Sequence, residues 1–233
     1  MAKPEKKNRK KKPTKKNKRG AAEPVPRGLL VALDGTSGAI LRCEAERLAR
    51  LCRGAAAPAW SLWDASNTFY EMRMAKAKDF TPTLRALMLL YASDLLFRLR
   101  WEIEPTLEEG RSVVAAPYVE SALAFGAAAG LPKEWLEELF LFAPKPDASF
   151  RLKEKKKSKE RKKNGAGDPG FVEFFCASLA RQYPGWDVAG VRARMLQYLK
   201  DLEEQDRIHT LGKKPHQIKR AFTEPRRALA SSK

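Results

Sequence analysis

The chain has 233 residues, 43% of them hydrophobic and 32% charged, three cysteines, and a formal net charge of +18. This length suits one globular domain with tails, and three cysteines without metal-ligand spacing argue against a disulfide framework and a metal site. The basic amino terminus lacks the apolar segment of a signal peptide, and no apolar run is long enough to span a bilayer, so we expect a cytoplasmic protein.

From residue 28 onward, apolar runs alternate with segments of helical periodicity. The pattern predicts strands at 28–34, 57–62, 111–116 and 147–152. It predicts helices at 38–53, 66–77, 83–107, 118–129, 133–142, 169–183 and 187–204. The expected helix caps include Ser66 and either Thr81 or Thr83. Alternation of this kind predicts an α/β fold in which helices cover both faces of a parallel sheet.

The first predicted strand ends in a glycine-bearing turn that leads into a helix, which is the context of a phosphate-binding P-loop. A working loop has the pattern G-x-x-x-x-G-K-[ST], in which the lysine holds phosphate and the hydroxyl binds Mg²⁺. With Gly35 as the first glycine, those last three positions hold Ile40, Leu41 and Arg42. We therefore expect a folded loop with Ile40 or Leu41 buried and no grip on phosphate. The candidate phosphate-loop residues are Asp34, Gly35, Thr36, Ser37, Gly38 and Arg42.

Most of the positive charge lies in three blocks. Residues 1–20 carry a net +10, residues 151–163 a net +7 and residues 207–233 a net +7, so the rest of the chain is mildly acidic. Such blocks cannot be buried and usually stay disordered, and they bind polyanions by releasing counterions. The alternative is that they only solubilise the protein. The candidate polyanion-binding residues are Lys10, Lys11, Lys12, Lys155, Lys156 and Lys157.

Over residues 28–205 the chain resembles the thymidylate kinases. The resemblance rests on LLVALDGTSGA, LRALMLLYASD and APKPDASF, and above all on the segment IEPTLEEGRSVVAAPYVESALAFGAAAGL. In that segment Tyr118, Ser121, Ala124 and the pair Gly130-Leu131 keep the order and spacing of the family motifs. The resemblance implies a P-loop nucleoside-monophosphate-kinase fold of three layers, with an acceptor pocket beside the carboxyl edge of the sheet.

The chain departs from the family where the resemblance places the chemistry. Ala116-Pro117 stands where the family has Asp-Arg, Phe125-Gly126 replaces Tyr-Gln, and Leu95 follows Asp94 in place of an arginine. The Lys-rich segment 151–167 replaces the family's arginine-bearing lid. The remnant acceptor pocket would be lined by Trp63, Asp64, Arg73, Asp94, Tyr118, Ser121 and Phe125. The aromatic residues around Asp64 are either such a lining or ordinary core packing.

These departures favour a catalytically degenerate protein with no catalytic residues, no metal site and no cofactor, which acts as a nucleotide- or polyanion-binding scaffold subunit. One alternative is an active dTMP-like kinase that uses ATP and Mg²⁺ with a non-standard loop, and another is a dimeric protein-interaction module. The family also suggests a homodimer, because the predicted helix 83–107 is apolar on nearly all sides. The expected organisation is a basic arm at 1–26, a kinase-like domain at 27–206 and a basic tail at 207–233.

Overall fold

The computed structural model describes residues 26–51, 59–75, 82–152 and 170–211. Within them, five strands form one parallel sheet in the order β2-β3-β1-β4-β5. The strands are β1 (Leu30–Asp34), β2 (Ala59–Leu62), β3 (Val113–Ala116), β4 (Ala148–Arg151) and β5 (His209–Thr210). Four of the five coincide with predicted strands to within two residues at each end, so the alternation in the sequence located them correctly.

Helices connect the strands at the predicted places. They are α1 (Gly38–Leu51), α2 (Thr68–Met74), α3 (Leu84–Arg98), a π-helical turn (Leu99–Ile103), α4 (Glu104–Glu108), α5 (Val119–Ala128), α6 (Lys133–Leu139), α7 (Phe171–Gln182) and α8 (Val188–Glu204). Thr83 caps α3, since its side chain accepts a hydrogen bond from the amide of Ala86. Gly110 and Gly130 follow α4 and α5 with positive φ, the conformation that glycine adopts most easily.

Strand β1 lies at the centre of the sheet, and its side chains alternate between two cores. Leu30 and Ala32 point into the larger core, together with apolar residues of α3, α5, α7 and α8. Val31 and Leu33 point into the smaller core on the opposite face, against α1. All four are essentially inaccessible to solvent. The predicted three-layer arrangement, with β1 as a central buried strand, is therefore confirmed.

The folded region extends beyond the boundaries expected from charge. Strand β5 pairs with β4 although it lies in the segment assigned to the basic tail. Arg151, counted with the Lys-rich block, belongs to β4; it is buried and paired with Glu203. The Lys-rich block therefore starts after Arg151. Pairing within the sheet and the salt bridge to Glu203 keep Arg151 in the folded core despite the basic residues that follow it. None of the described helices is long and apolar enough to cross a membrane.

Candidate functional site

The loop between β1 and α1 is held by protein groups on both sides. The amide of Gly35 donates to Ser121 Oγ at 3.0 Å, and the amide of Leu41 donates to the carbonyl of Ser37 at 3.0 Å. The side chain of Leu41 is 1% exposed and belongs to the smaller core with Val31. The prediction that Ile40 or Leu41 is buried is confirmed. At the position that the resemblance gives to the P-loop lysine, this chain therefore has an apolar anchor that fastens the helix to the sheet.

Asp34, the last residue of β1, faces inward. Its Oδ1 accepts hydrogen bonds from the amides of Tyr118 at 3.0 Å and Ser121 at 2.9 Å. Burial raises the pKa of this carboxyl above its usual value, and the bonds from Ser121 and Tyr118 act in the opposite direction. The carboxylate thus positions the start of α5 against the loop, which places Ser121 where it meets Gly35.

Two aspartates organise the turn that follows β2. Asp94 Oδ2 accepts from the amide of Asp64 at 3.0 Å, and its Oδ1 accepts from the amide and hydroxyl of Ser66 at 3.0 and 2.8 Å. The Asp64 carboxylate accepts from the amides of Phe69 and Tyr70 at 2.8 and 2.7 Å. The prediction that Ser66 caps α2 is wrong, because Asp64 takes that role and Ser66 binds Asp94 instead. Both predicted site aspartates thus support backbone in this conformation.

Arg98 is a buried cation beside the candidate site that the sequence did not predict. Its guanidinium is fully buried, and it donates to Ser61 Oγ at 2.9 Å, to the Ser61 carbonyl at 3.1 Å and to the Pro117 carbonyl at 2.9 Å. Ser61 Oγ donates in turn to Glu102 at 2.6 Å. The available signal was its spacing, four residues after Asp94 on the buried face of α3. Arg98 thus brings a positive charge to the carboxyl ends of β2 and β3.

Aromatic rings from α7 contact two of the expected acceptor-pocket residues, Phe125 and Trp63. The ring of Phe125 lies 5.9 Å from that of Phe171 and 5.4 Å from that of Phe175, measured between centroids. The Tyr91 hydroxyl donates to the Tyr118 carbonyl at 2.8 Å. Phe125 and Tyr118 are both buried. A base could stack on Phe125 only after α7 moved.

The same packing reaches the tryptophan that follows β2. The Trp63 ring lies 4.9 Å from Phe69, which in turn lies 5.4 Å from Phe174 of α7. Trp60 and Tyr70 are instead exposed. Of the aromatic residues around Asp64, two therefore belong to the core and two face solvent. Of the predicted pocket residues, Trp63 and Phe125 pack against rings of α7, and the role of the set as ligand contacts stays a prediction.

The remaining site residues lie toward the surface or outside the described chain. Arg42 is exposed, and the guanidinium of Arg73 lies 5.6 Å above the ring of Tyr70. Burial and the nearby Asp34 raise the pKa of Glu120 to about 7, and Arg207 lies 3.5 Å from its carboxylate. The six candidate polyanion-binding lysines are outside the described residues. No cluster of three or more His, Cys, Asp or Glu that could hold a metal ion occurs in the described ranges.

The first turn of α7 lies directly on the phosphate loop. Glu173 Oε2 accepts from the amide of Gly38 at 3.4 Å, and the backbones of Gly38 and Gly170 are in contact. Arg192 of α8 donates to the other oxygen of Glu173 at 3.3 Å. Sequence reasoning could not find this contact, because the residues are 135 positions apart. The carboxylate of Glu173 therefore lies at the amino end of α1, and the guanidinium of Arg192 pairs with its other oxygen.

Comparisons with known proteins agree with the fold. A protein of Pyrobaculum aerophilum named "Probable thymidylate kinase" is 38% identical over 64 residues, or 28% of this chain and 33% of the relative. The "Thymidylate kinase" of Xanthomonas oryzae pv. oryzae is 33% identical over 132 residues, or 54% of this chain and 56% of the relative. The solved thymidylate kinase of Candida albicans superposes with a TM-score of 0.53 at 18% identity, over 88% of this chain and 93% of that structure.

These matches differ in what they establish. No family model matches the chain. The aligned region spans about a third of the Pyrobaculum relative and about half of the Xanthomonas relative. The Candida albicans structure, at its low identity, supports the fold alone. Relatives of one family in several organisms, and a structure of that family with the same architecture, agree with the motifs in the sequence. The chain is thus similar in sequence to thymidylate kinases and shares their fold.

Proposed function

We propose that this protein keeps the thymidylate kinase fold as a nucleotide- or polyanion-binding scaffold and does not transfer phosphate. The observation that carries the proposal is the buried side chain of Leu41, packed in the core where the family motif has the phosphate-binding lysine. Ala116 and Pro117, at the end of β3, offer neither a carboxylate nor a guanidinium. The amide of Gly38 is already bonded to Glu173.

The number of missing groups strengthens the proposal. Phosphoryl transfer depends on positioning and on neutralising charge around the transferred group. Loss of a single group that stabilises transition-state charge costs on the order of 3 kcal/mol, or about 10²–10³ in rate. Here the lysine, the Mg²⁺-binding hydroxyl, and the strand-end aspartate and arginine are all replaced. Arg98 is close to the end of β3, but it is fully buried and already bonded to Ser61 and Pro117.

An active nucleotide kinase is the second candidate, and the comparisons favour it over the scaffold. The relatives that match are named as thymidylate kinases. Arg42 is exposed at the start of α1 and could meet a phosphate, since a guanidinium binds phosphate well. The lysines at 155–157 lie in the sequence where a kinase lid would be, and could supply further charge. On this alternative the cofactors would be ATP and Mg²⁺.

Turnover separates the two candidates. With ATP, Mg²⁺ and dTMP, a coupled ADP-release assay is expected to give the background rate, because the charges that stabilise the transition state are missing. The catalytically competent control is an authentic thymidylate kinase assayed in parallel. Turnover of about 1 s⁻¹, at the low end of ordinary enzymes, would establish the active kinase instead. Thermal shifts with nucleotides would show binding without turnover, because a ligand of the folded state raises the melting midpoint.

We further propose that the Lys-rich segments bind nucleic acid or another polyanion. RNA or DNA of any sequence is expected to bind with a steep salt dependence, about 0.7–0.9 in the log–log slope for each phosphate neutralised. Deleting residues 1–20 should weaken binding, and replacing Lys155, Lys156 and Lys157 with alanine should weaken it further. Filter binding at several salt concentrations measures both effects. Lack of affinity even at low salt would mean that these segments only solubilise the protein.

A homodimer is also proposed. Leu89, Leu96 and Trp101, on α3 and the π-helical turn, are 53%, 54% and 67% exposed. Neighbouring apolar side chains at a surface often mark an interface between subunits. Light scattering after gel filtration should give twice the 26.2 kDa mass of one chain. Trp101→Asp should give monomers, whereas Leu141→Asp, at an exposed residue beyond α6, should leave the dimer intact. A monomeric wild-type protein would exclude this proposal and the dimeric interaction module.

A further inference from the structure

Two contacts close the phosphate loop from the side of α7. A Cβ added to Gly170 would lie 2.2 Å from the Cα of Gly38, so the two backbones can approach this closely only because both residues are glycine. Three residues further on, Glu173 places one carboxylate oxygen 3.4 Å from the amide nitrogen of Gly38. Its other oxygen is 3.3 Å from Arg192, which fixes the direction of the carboxylate.

The Glu173 carboxylate lies where the amino end of α1 favours a negative charge. The first amides of a helix have no partner within the helix, and the amino end carries a partial positive charge. An anion is therefore stabilised there, and Gly38 is the first residue of α1. Glu173 supplies that anion from within the protein. A phosphate that approached the same amide would meet a like charge at the point where it has to bind.

The next residues of α7 act on the other half of the site. Phe171 packs on Tyr91 with 5.1 Å between ring centroids, and both Phe171 and Phe175 pack on Phe125. All four rings are buried. One helical segment thus occupies the amino end of α1 through its glutamate and the acceptor side through its phenylalanines. Both contacts must be released by the same movement, because they belong to two consecutive turns of a single helix.

We propose that the first two turns of α7 are an autoinhibitory strap, in which Glu173 takes the place of a phosphate at Gly38 and has to leave before a phosphate-bearing ligand can bind. When Glu173 leaves, Arg192 loses its acidic partner and can pair with the incoming anion. The proposal rests on the proposed function insofar as the ligand is a nucleotide. The closure itself is independent of that ligand.

The closure is tested without ligand, by amide hydrogen exchange at Gly38. Glu173→Ala removes the acceptor, and Gly170→Ala adds a methyl group that the contact with Gly38 cannot accommodate. Exchange is expected to be faster in both variants than in the wild type. Glu134→Gln is the matched control, since Glu134 also lies in the first turn of a helix but is exposed. Unchanged exchange in both variants would overturn the strap.

The competition with phosphate is tested with inorganic tripolyphosphate, by calorimetry. Glu173→Gln keeps the shape of the side chain and removes its charge. It should bind tripolyphosphate at least about tenfold more tightly than the wild type, because the substitution removes a like charge from the place where the anion binds. Equal affinity of the variant and the wild type would overturn the competition. Faster exchange without tripolyphosphate binding in any variant would support the strap and count against the proposed nucleotide-binding function.

Discussion

Leu41→Lys is expected to destabilise the protein by about 3 kcal/mol or more, and not to create a kinase. Leucine at this position is 1% exposed in a packed core, and removing a buried leucine costs about 2–5 kcal/mol. An ammonium group placed there also loses its hydration, which favours the neutral amine. Urea unfolding measures the loss of stability. Leu41→Met is the control and should cost less than about 1.5 kcal/mol, since it nearly conserves volume.

The pH dependence identifies the cause of that loss. In the unfolded chain the new lysine holds its proton up to a pH of about 10, whereas in the folded core it is neutral. The unfolded state then binds more protons, so the stability of Leu41→Lys should rise with pH between 7 and 10 relative to the wild type. A stable variant with no such pH dependence, and with new ADP release, would mean that lysine at residue 41 reaches a phosphate site.

Arg98→Met should be the other strongly destabilising substitution. Methionine fills the space of the aliphatic part of the Arg98 side chain. It leaves the Ser61 and Pro117 carbonyls without the hydrogen-bond donors that Arg98 supplies. Breaking a buried charged network by removing one partner costs about 3–5 kcal/mol. Arg100→Met, at an exposed residue of the same helical segment, should change stability by no more than about 0.5 kcal/mol. Urea unfolding compares the two.

A second variant distinguishes charge from geometry at the same position. Arg98→Lys keeps the positive charge but replaces a planar fork of donors by a single ammonium group. Because Arg98 donates in three directions, to Ser61 Oγ, the Ser61 carbonyl and the Pro117 carbonyl, lysine should recover only part of the stability. Full recovery by lysine would mean that charge alone matters. Wild-type stability of Arg98→Met would contradict the assigned role of the network.

The sequence predicted the layers of the fold because they depend on local periodicity. Alternating apolar runs located β1, and either Ile40 or Leu41 was expected inside because a branched apolar side chain gains nothing at a loop tip. The short strand β5 was missed, since a two-residue strand has no period and its segment is dominated by basic residues. Charge composition describes a segment as a whole, but pairing with β4 is decided by individual residues.

The parts of the site that were missed depend on contacts between distant residues. Arg98 looked like one more residue of a long helix, and only the positions of Ser61 and Pro117 show why a charge is buried there. The pairing of Glu173 with Gly38 joins two segments that share no local pattern. At residue 66 the prediction failed for a related reason, because serine can cap a helix, but a neighbouring aspartate in a left-handed conformation does so here.

The place of β1 in the chain has a consequence for synthesis. This strand is the first of the five described strands to be made and lies at the centre of the sheet, yet its bonding partners follow 83 residues later beside β3 and 117 residues later beside β4. At about 5–20 residues per second, a ribosome needs roughly 6–23 seconds to deliver the second partner. During that interval at least one edge of an apolar strand is unpaired, which is the condition in which chains aggregate or recruit chaperones. Nascent chains that stop before residue 148 are therefore expected to be held by chaperones, and chains that extend past β4 to be released.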